Sequence, residues 1–207
     1  MGTRHLVCVV LGGEYRVAQY GQWDGYPSGQ GEKIVKFMTS GDFDLATFKR
    51  KVSQCRALTA EEVETRWKKC GAKSEYVTTD VSEKMKKRYP ALSRDTGADV
   101  LRVVYEAEKP EVFLNPDFAG DSLFCEWAYV LDLDREVLEV YRGFNKRPLE
   151  PGARFYGFET KCGDRHEDYY PVKLLTEISF KDLRGEGVMA GVQALADKVY
   201  EEEHGKG

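Results

Sequence analysis

The chain opens on β-branched and apolar runs, passes through a middle with apolar positions at helical spacing, and returns to strand-like runs from Ser122 onward. Thr3 to Leu11 and Glu14 to Gln22 flank Gly12-Gly13, a two-residue connection of the kind that closes a tight β-hairpin. In the simplest register Leu11 faces Glu14, His5 faces Tyr20 and Thr3 faces Gln22. Thr3, His5, Tyr20 and Gln22 then share one side at the open end, with Arg4 opposite Gly21 on the other.

Helices are predicted next. Glu32 to Thr39 carries Ile34, Phe37 and Met38 at helical spacing and stops at Gly41, while Asp44 can cap a helix bearing Leu45, Phe48, Val52 and Cys55. Thr59-Ala-Glu-Glu62 is a capping-box pattern for a helix closed by Gly71. Thr79 to Tyr89 ends at Pro90, and Asp95 to Ala107 presents Leu101, Val104 and Tyr105 together. A second hairpin is predicted from Ser122 to Leu133 and Glu136 to Tyr141, a strand over Val172 to Phe180, and a terminal helix over Val188 to Glu203. The stretch 145–170, rich in Gly, Pro and charge, reads as an irregular insertion or flap.

Strands early and late with helices between them predict an α+β fold: one antiparallel sheet built from N-terminal and C-terminal hairpins and covered by the central helices. The 207 residues suit a single domain, 1–207, and 32% charged with 42% hydrophobic residues is a globular composition. A net charge of −4 speaks against a chain that is basic throughout, and leaves a local basic face open. The apolar runs are too short to cross a bilayer, and no signal-peptide pattern precedes the first strand, so the expectation is a cytoplasmic protein without a membrane partner. Five cysteines (Cys8, Cys55, Cys70, Cys125 and Cys162) at irregular spacing predict neither a disulfide framework nor a zinc site; no metal and no cofactor is expected.

Candidate chemistry centres on the loop Tyr20-Gly-Gln-Trp-Asp-Gly-Tyr-Pro-Ser-Gly-Gln-Gly31. Its glycines at 21, 25, 29 and 31, with Pro27, imply special backbone conformations or close approaches, and they hold Trp23, Asp24 and Tyr26 on a stiff frame. A structural cap on the sheet end is the competing reading. The loop also feeds a helix whose amides could hold an anion, although no Gly-Lys-Ser/Thr follows as in a P-loop. His5 and Tyr20 are a candidate acid–base pair if the register holds, and His166 and His204 are weaker candidates. Glu126 interrupts an apolar strand beside Trp127. With Asp24 it could bind a guanidinium or ammonium group, or it could pair internally, for example with Arg4. Thr3, Arg4, Gln22, Trp23, Tyr26 and Trp127 are the candidate substrate-binding residues around these groups. Lys84, Lys86, Lys87 and Arg88 form a basic helical face, either solvated or in contact with a phosphate backbone.

Met1-Gly-Thr-Arg-His5 and Trp23-Asp-Gly-Tyr-Pro-Ser-Gly-Gln-Gly31 resemble an uncharacterised family of small phage, bacterial and fungal proteins with a Gly-Thr-Arg start and an Asp-x-Tyr-Pro-x-Gly-x-Gly loop. The hairpin ending near Asp24 is also similar to that of N-terminal-nucleophile amidohydrolases of the bile-salt hydrolase type. Here position 2 is Gly, so Thr3 would be the nucleophile only after removal of two residues. In size and general character the chain resembles fungal arginine-containing cyclodipeptide synthases, with no alignable motif. That resemblance implies an acyl-transfer enzyme joining activated amino acids from aminoacyl-tRNA. Asp24 and Glu126 would then bind a cationic side chain, His5 and Tyr20 would move protons, and Lys84 to Arg88 would contact tRNA. The alternatives are an N-terminal-nucleophile-like amidohydrolase and a non-catalytic small-ligand-binding protein of defence or counter-defence.

Overall fold

The computed structural model describes residues 2–73, 77–160, 166, 168–185 and 187–204, with residues 160, 203 and 204 described by backbone alone. Strands β1 (His5–Leu11) and β2 (Glu14–Gly21) form the first hairpin through Gly12 and Gly13, whose φ values of 65° and 72° are those a tight hairpin turn needs. The helices that follow are α1 (Glu32–Thr39), α2 (Leu45–Ser53), α3 (Ala60–Lys69), α4 (Thr79–Arg88) and α5 (Val100–Glu106). A two-residue parallel pair, β3 (Arg56–Ala57) with β4 (Glu111–Val112), brackets α3 to α5. The second hairpin is β5 (Trp127–Asp132) and β6 (Val137–Arg142), followed by β7 (Lys173–Ser179) and α6 (Val188–His204).

The caps form as the residue pattern predicts. Asp44 accepts from the Thr47 amide at 2.7 Å, and Thr59 and Glu62 exchange the two bonds of a capping box. Two elements are shorter than predicted. α5 begins only at Val100, after a 3₁₀ turn over Gly97–Asp99, and β5 begins at Trp127, because 122–126 is taken up by a turn in which the Cys125 amide bonds the Asp121 carbonyl.

The sheet order is β2-β1-β5-β6-β7, and it is not wholly antiparallel as predicted. The two hairpins lie side by side with their first strands adjacent, so β1 and β5 pair in parallel, His5 beside Trp127. Alternation specifies the faces of a strand but not its neighbour's direction, and a parallel pair needs only a long crossover, which the helical middle supplies. β1 and β5 are buried almost throughout, as central strands are.

Each face has its own core. On one, Val7, Val9, Val17, Tyr129, Leu131 and Val140 pack against residues of α1, α2, α5 and α6, among them Ile34, Phe48, Leu101 and Met189. On the other, Leu6, Cys8, Val10, Ala128 and Val130 meet Ala119, Phe155, Phe158 and Val172, so the described part of 145–170 drives two phenylalanines into the core. Below this second face a buried polar network ties the second hairpin to the 145–170 segment. Arg154 bonds Glu139 through Nε at 2.5 Å and Asp132 through a terminal nitrogen at 2.5 Å, while Tyr141 donates to Glu139 at 2.7 Å. A smaller cluster of Leu58, Cys70, Val81, Met85 and Leu92 holds α3 and α4. No helix among the described residues is long and apolar enough to cross a membrane.

Candidate functional site

The start of β1, the end of β2, the start of β5, the end of β6 and the start of β7 all lie at one end of the sheet. Thr3, Arg4, His5, Tyr20, Gln22 to Asp24, Glu126 and Trp127 therefore gather there, although they are about 100 residues apart in sequence. They do not form the cluster that the simple register predicts. A β-bulge between Val9 and Val10 inserts Arg16 into β2, so Leu6 faces Tyr20 and His5 faces Gly21. A slip of one residue exchanges the two faces of a strand. His5 consequently points into the helix-side core with Val7, whereas Tyr20 lies on the other face with its ring edge-on to Phe118. The acid–base pair is thereby excluded.

His5 is 0% exposed, and neither ring nitrogen has a hydrogen-bond partner among the described residues. Burial depresses its pKa from 6.5 to about 4; the Thr3 backbone and Asp24 pull it up without aligned hydrogen bonding, and Lys33 pushes it further down. The ring fills the space that two loop glycines leave: a Cβ at Gly21 would stand 2.2 Å from the imidazole, and one at Gly25 would stand 2.8 Å from the His5 Cβ. The loop glycines thus serve close approach, since none of Gly21, Gly25, Gly29 and Gly31 has a positive φ. The left-handed residue of the loop is Asp24, at φ 56°. Its frame is stiff. Gly25 donates to the Thr3 carbonyl at 3.0 Å, Gln30 ties the Trp23 carbonyl to the Ala98 amide, and Tyr129 donates to the Gly25 carbonyl at 2.8 Å. A π-helical turn over Pro27–Gly31 then enters α1.

The carboxylates expected to act together are held by different groups. Asp24 is exposed and accepts from the Tyr26 hydroxyl at 3.2 Å, which raises the Tyr26 pKa. Glu126 accepts from the Arg4 backbone amide at 3.1 Å, so the anticipated Arg4 partner is its main chain and not its guanidinium. That guanidinium stacks 4.9 Å from the Phe124 ring centre, and Arg4, Tyr20, Asn115, Phe118 and Phe124 line a shallow cavity of about 410 Å³. Burial raises the Tyr20 pKa against the opposing pull of Arg4 and Arg94, and the hydroxyl donates to Gln22 at 2.8 Å. Trp127 is buried in the helix-side core, so the substrate contact expected of it is absent. On α4, Lys84 pairs with Asp80 while Lys86, Lys87 and Arg88 are surface residues, with Lys86 and Lys87 free of any carboxylate within ion-pair distance among the described residues. This helix adjoins the loop through Asp95, which accepts from Ser82 at 2.8 Å and from the Trp23 indole at 2.9 Å.

A further charge feature is one that the residue pattern leaves largely hidden. A cavity of about 360 Å³ opens where β6 ends and β7 begins, lined by Arg142, Lys146, Arg147 and Lys173 with Phe144 and Asn145, and no carboxylate lines it among the described residues. Gly143 lets the chain turn here, for a Cβ would stand 2.3 Å from the Cys125 carbonyl oxygen. Phe144 follows with φ 57°, a conformation that costs a bulky residue of order 1–3 kcal/mol, and it remains 42% exposed. Asn145 is locked by its side chain to the carbonyls of Arg147 and Pro171. The run Arg142-Gly-Phe-Asn-Lys-Arg147 was the available signal; Lys173 joins it only through strand pairing with Arg142. His166 lies near this region, donating its backbone amide to Asp121; the side chain of His204, and Cys162, fall outside the described residues. No group of three or more His, Cys, Asp or Glu able to hold a metal occurs among the described residues. Comparison with protein-family models, with curated proteins and with solved structures finds no match to this chain.

Proposed function

We propose that this protein binds a phosphate-bearing ligand at the β6–β7 end of the sheet. The observation that carries the reading is the cavity between Arg142, Lys146, Arg147 and Lys173, a concentration of positive charge without a lining carboxylate among the described residues, on a chain of net charge −4. Such placement has no packing value, because Lys146, Arg147 and Lys173 are exposed and like charges repel. Guanidinium and ammonium groups lining one cavity suit the oxygens of phosphate esters. Arg142 is anchored there by its bond to the Ala196 carbonyl at 2.8 Å, which leaves Lys146, Arg147 and Lys173 as the exposed cations. Calorimetric titration with inorganic pyrophosphate is expected to show saturable, salt-sensitive binding. Arg147→Ala and Lys173→Ala are each expected to weaken it roughly tenfold, the loss of one charge-assisted hydrogen bond. Unchanged affinity in both variants, or no binding by the parent protein, refutes the reading.

Acyl transfer from an aminoacyl-tRNA is the second reading, and the position of Glu126 favours it. This half-buried residue stands between the two cavities: its carboxylate accepts from the Arg4 amide on one side, and its backbone carbonyl accepts from Gly143 at 2.8 Å on the other. Phosphates held in the basic cavity and along Lys86 to Arg88 would bring an activated cationic amino acid to Glu126. His5 has no part in this chemistry. Expression in a bacterium should yield cyclic dipeptides in the small-molecule extract, detectable by mass spectrometry and lost with Glu126→Gln. Extracts indistinguishable from those of an empty-vector strain would eliminate this reading and leave the binding reading intact.

A further inference from the structure

Besides Tyr26, Tyr156 and Tyr200, the exposed aromatic rings include three that share one end of the sheet. Trp23 is 49% exposed, Phe124 40% and Phe144 42%, and all three stand at the same sheet end as the basic cavity. A series of contacts joins them into one track. The Trp23 ring lies against Gly2, where a Cβ would stand 2.4 Å from it, and two residues on, the Arg4 guanidinium covers Phe124 at 4.9 Å. Phe124 belongs to the 121–126 turn, and Phe144 is bonded to that turn through its amide to the Ser122 carbonyl at 2.7 Å. Beyond Phe144 come Lys146, Arg147 and Lys173. The track crosses the width of a five-stranded sheet, roughly 19 Å at the usual strand spacing.

Resting on the reading that the basic cavity takes phosphate, we infer that this track is a binding surface for single-stranded nucleic acid. Exposed ring faces interleaved with cations are what an unpaired strand needs, because bases stack on the rings while phosphates meet the charges. A paired duplex offers no free base face to Phe124 or Phe144 and meets only the cations. The backbone at Phe144 supports the same conclusion. Glycine would hold φ 57° without strain, yet a phenylalanine stands there, 42% exposed and lining the basic cavity.

Fluorescence anisotropy with labelled strands of about eight nucleotides, near the lower part of the known range of site sizes, tests this directly. Single-stranded RNA, single-stranded DNA and a duplex of the same sequence are compared at fixed salt. Either single strand is expected to bind at least tenfold more tightly than the duplex; a preference between RNA and DNA identifies the natural strand. Phe124→Ala and Phe144→Gly are each expected to weaken strand binding roughly tenfold. Phe144→Gly should keep or raise the melting temperature, which separates loss of a stacking ring from loss of fold. Phe124 does not line the basic cavity, so Phe124→Ala should bind pyrophosphate as the parent protein does. Equal affinity for duplex and single strand, or unaltered strand binding in both variants, overturns the inference while pyrophosphate binding stands. Loss of pyrophosphate binding in the parent protein removes the reading beneath it.

Discussion

Replacing Arg154 with methionine is expected to lower the unfolding free energy by about 3–5 kcal/mol, the usual consequence of removing one partner from a buried ionic network. Arg154 lies between two carboxylates that are almost wholly buried, bonding Glu139 twice and Asp132 once. Burial works against its charge, yet the bonds and charge of Glu139, followed by Asp132, hold the Arg154 pKa above the ordinary arginine value. The same network raises the Tyr141 pKa, chiefly through burial and then through its bond to Glu139. Without the guanidinium, Glu139 keeps Arg135 at 2.9 Å and Tyr141 at 2.7 Å, and Asp132 keeps the amides of Asp134 and Arg135. Those remaining bonds place the expected loss toward the lower end of the range. Urea denaturation at neutral pH measures it. Combining Arg154→Met with Glu139→Gln should recover part of the loss, because the double variant buries one carboxylate fewer, Asp132 alone remaining without its guanidinium. A single variant within about 1 kcal/mol of the parent would show that the network contributes little to folding.

Acidification should destabilise the protein through His5. The folded-state pKa is depressed, from 6.5 to about 4, so the unfolded chain takes up a proton first as the pH falls. Stability from this residue is therefore complete above about pH 6.5, declines between 6.5 and 4, and reaches a floor below 4. The depression corresponds to roughly 3 kcal/mol at about 1.4 kcal/mol per pH unit. His5→Met removes the titration, and its flexible apolar chain suits the space against Gly21 and Gly25. Unfolding free energies of parent and variant, measured by urea titration at pH 7, 5.5 and 4, should diverge as the pH falls, with the variant losing less. Parallel pH profiles would mean that His5 finds a proton-accepting partner in the folded state.

The structure also explains why the candidate site was only partly legible. The loop from Tyr20 to Gly31 was identifiable because its glycines exceed what a turn requires, and they do serve close approach to His5, Thr3, Asp24 and Met189. The bulge at Arg16 was not identifiable, since a β-bulge leaves no periodic mark in a run as short as Glu14 to Gly21. That single insertion separates Tyr20 from His5 and moves Tyr20 onto the Arg4 face, where Phe118 and Phe124 meet them. The basic cavity was less legible still. Arg142 and Lys173 are neighbours only because β6 and β7 pair, and the segment between them gives no indication of that return.

Local physical chemistry therefore decided the elements. The Gly12-Gly13 turn, the caps at Asp44 and Thr59, the helix over Glu32–Thr39 and the two hairpins follow from backbone preference and short-range hydrogen bonding, which depend on residues a few positions apart. Tertiary structure alone decided the rest: the parallel seam between β1 and β5, the buried Arg154 network, the isolation of His5 and the gathering of cations and rings at one end of the sheet. These depend on which strand lies beside which, and that choice is made by the burial of whole faces, a property no short stretch of sequence contains.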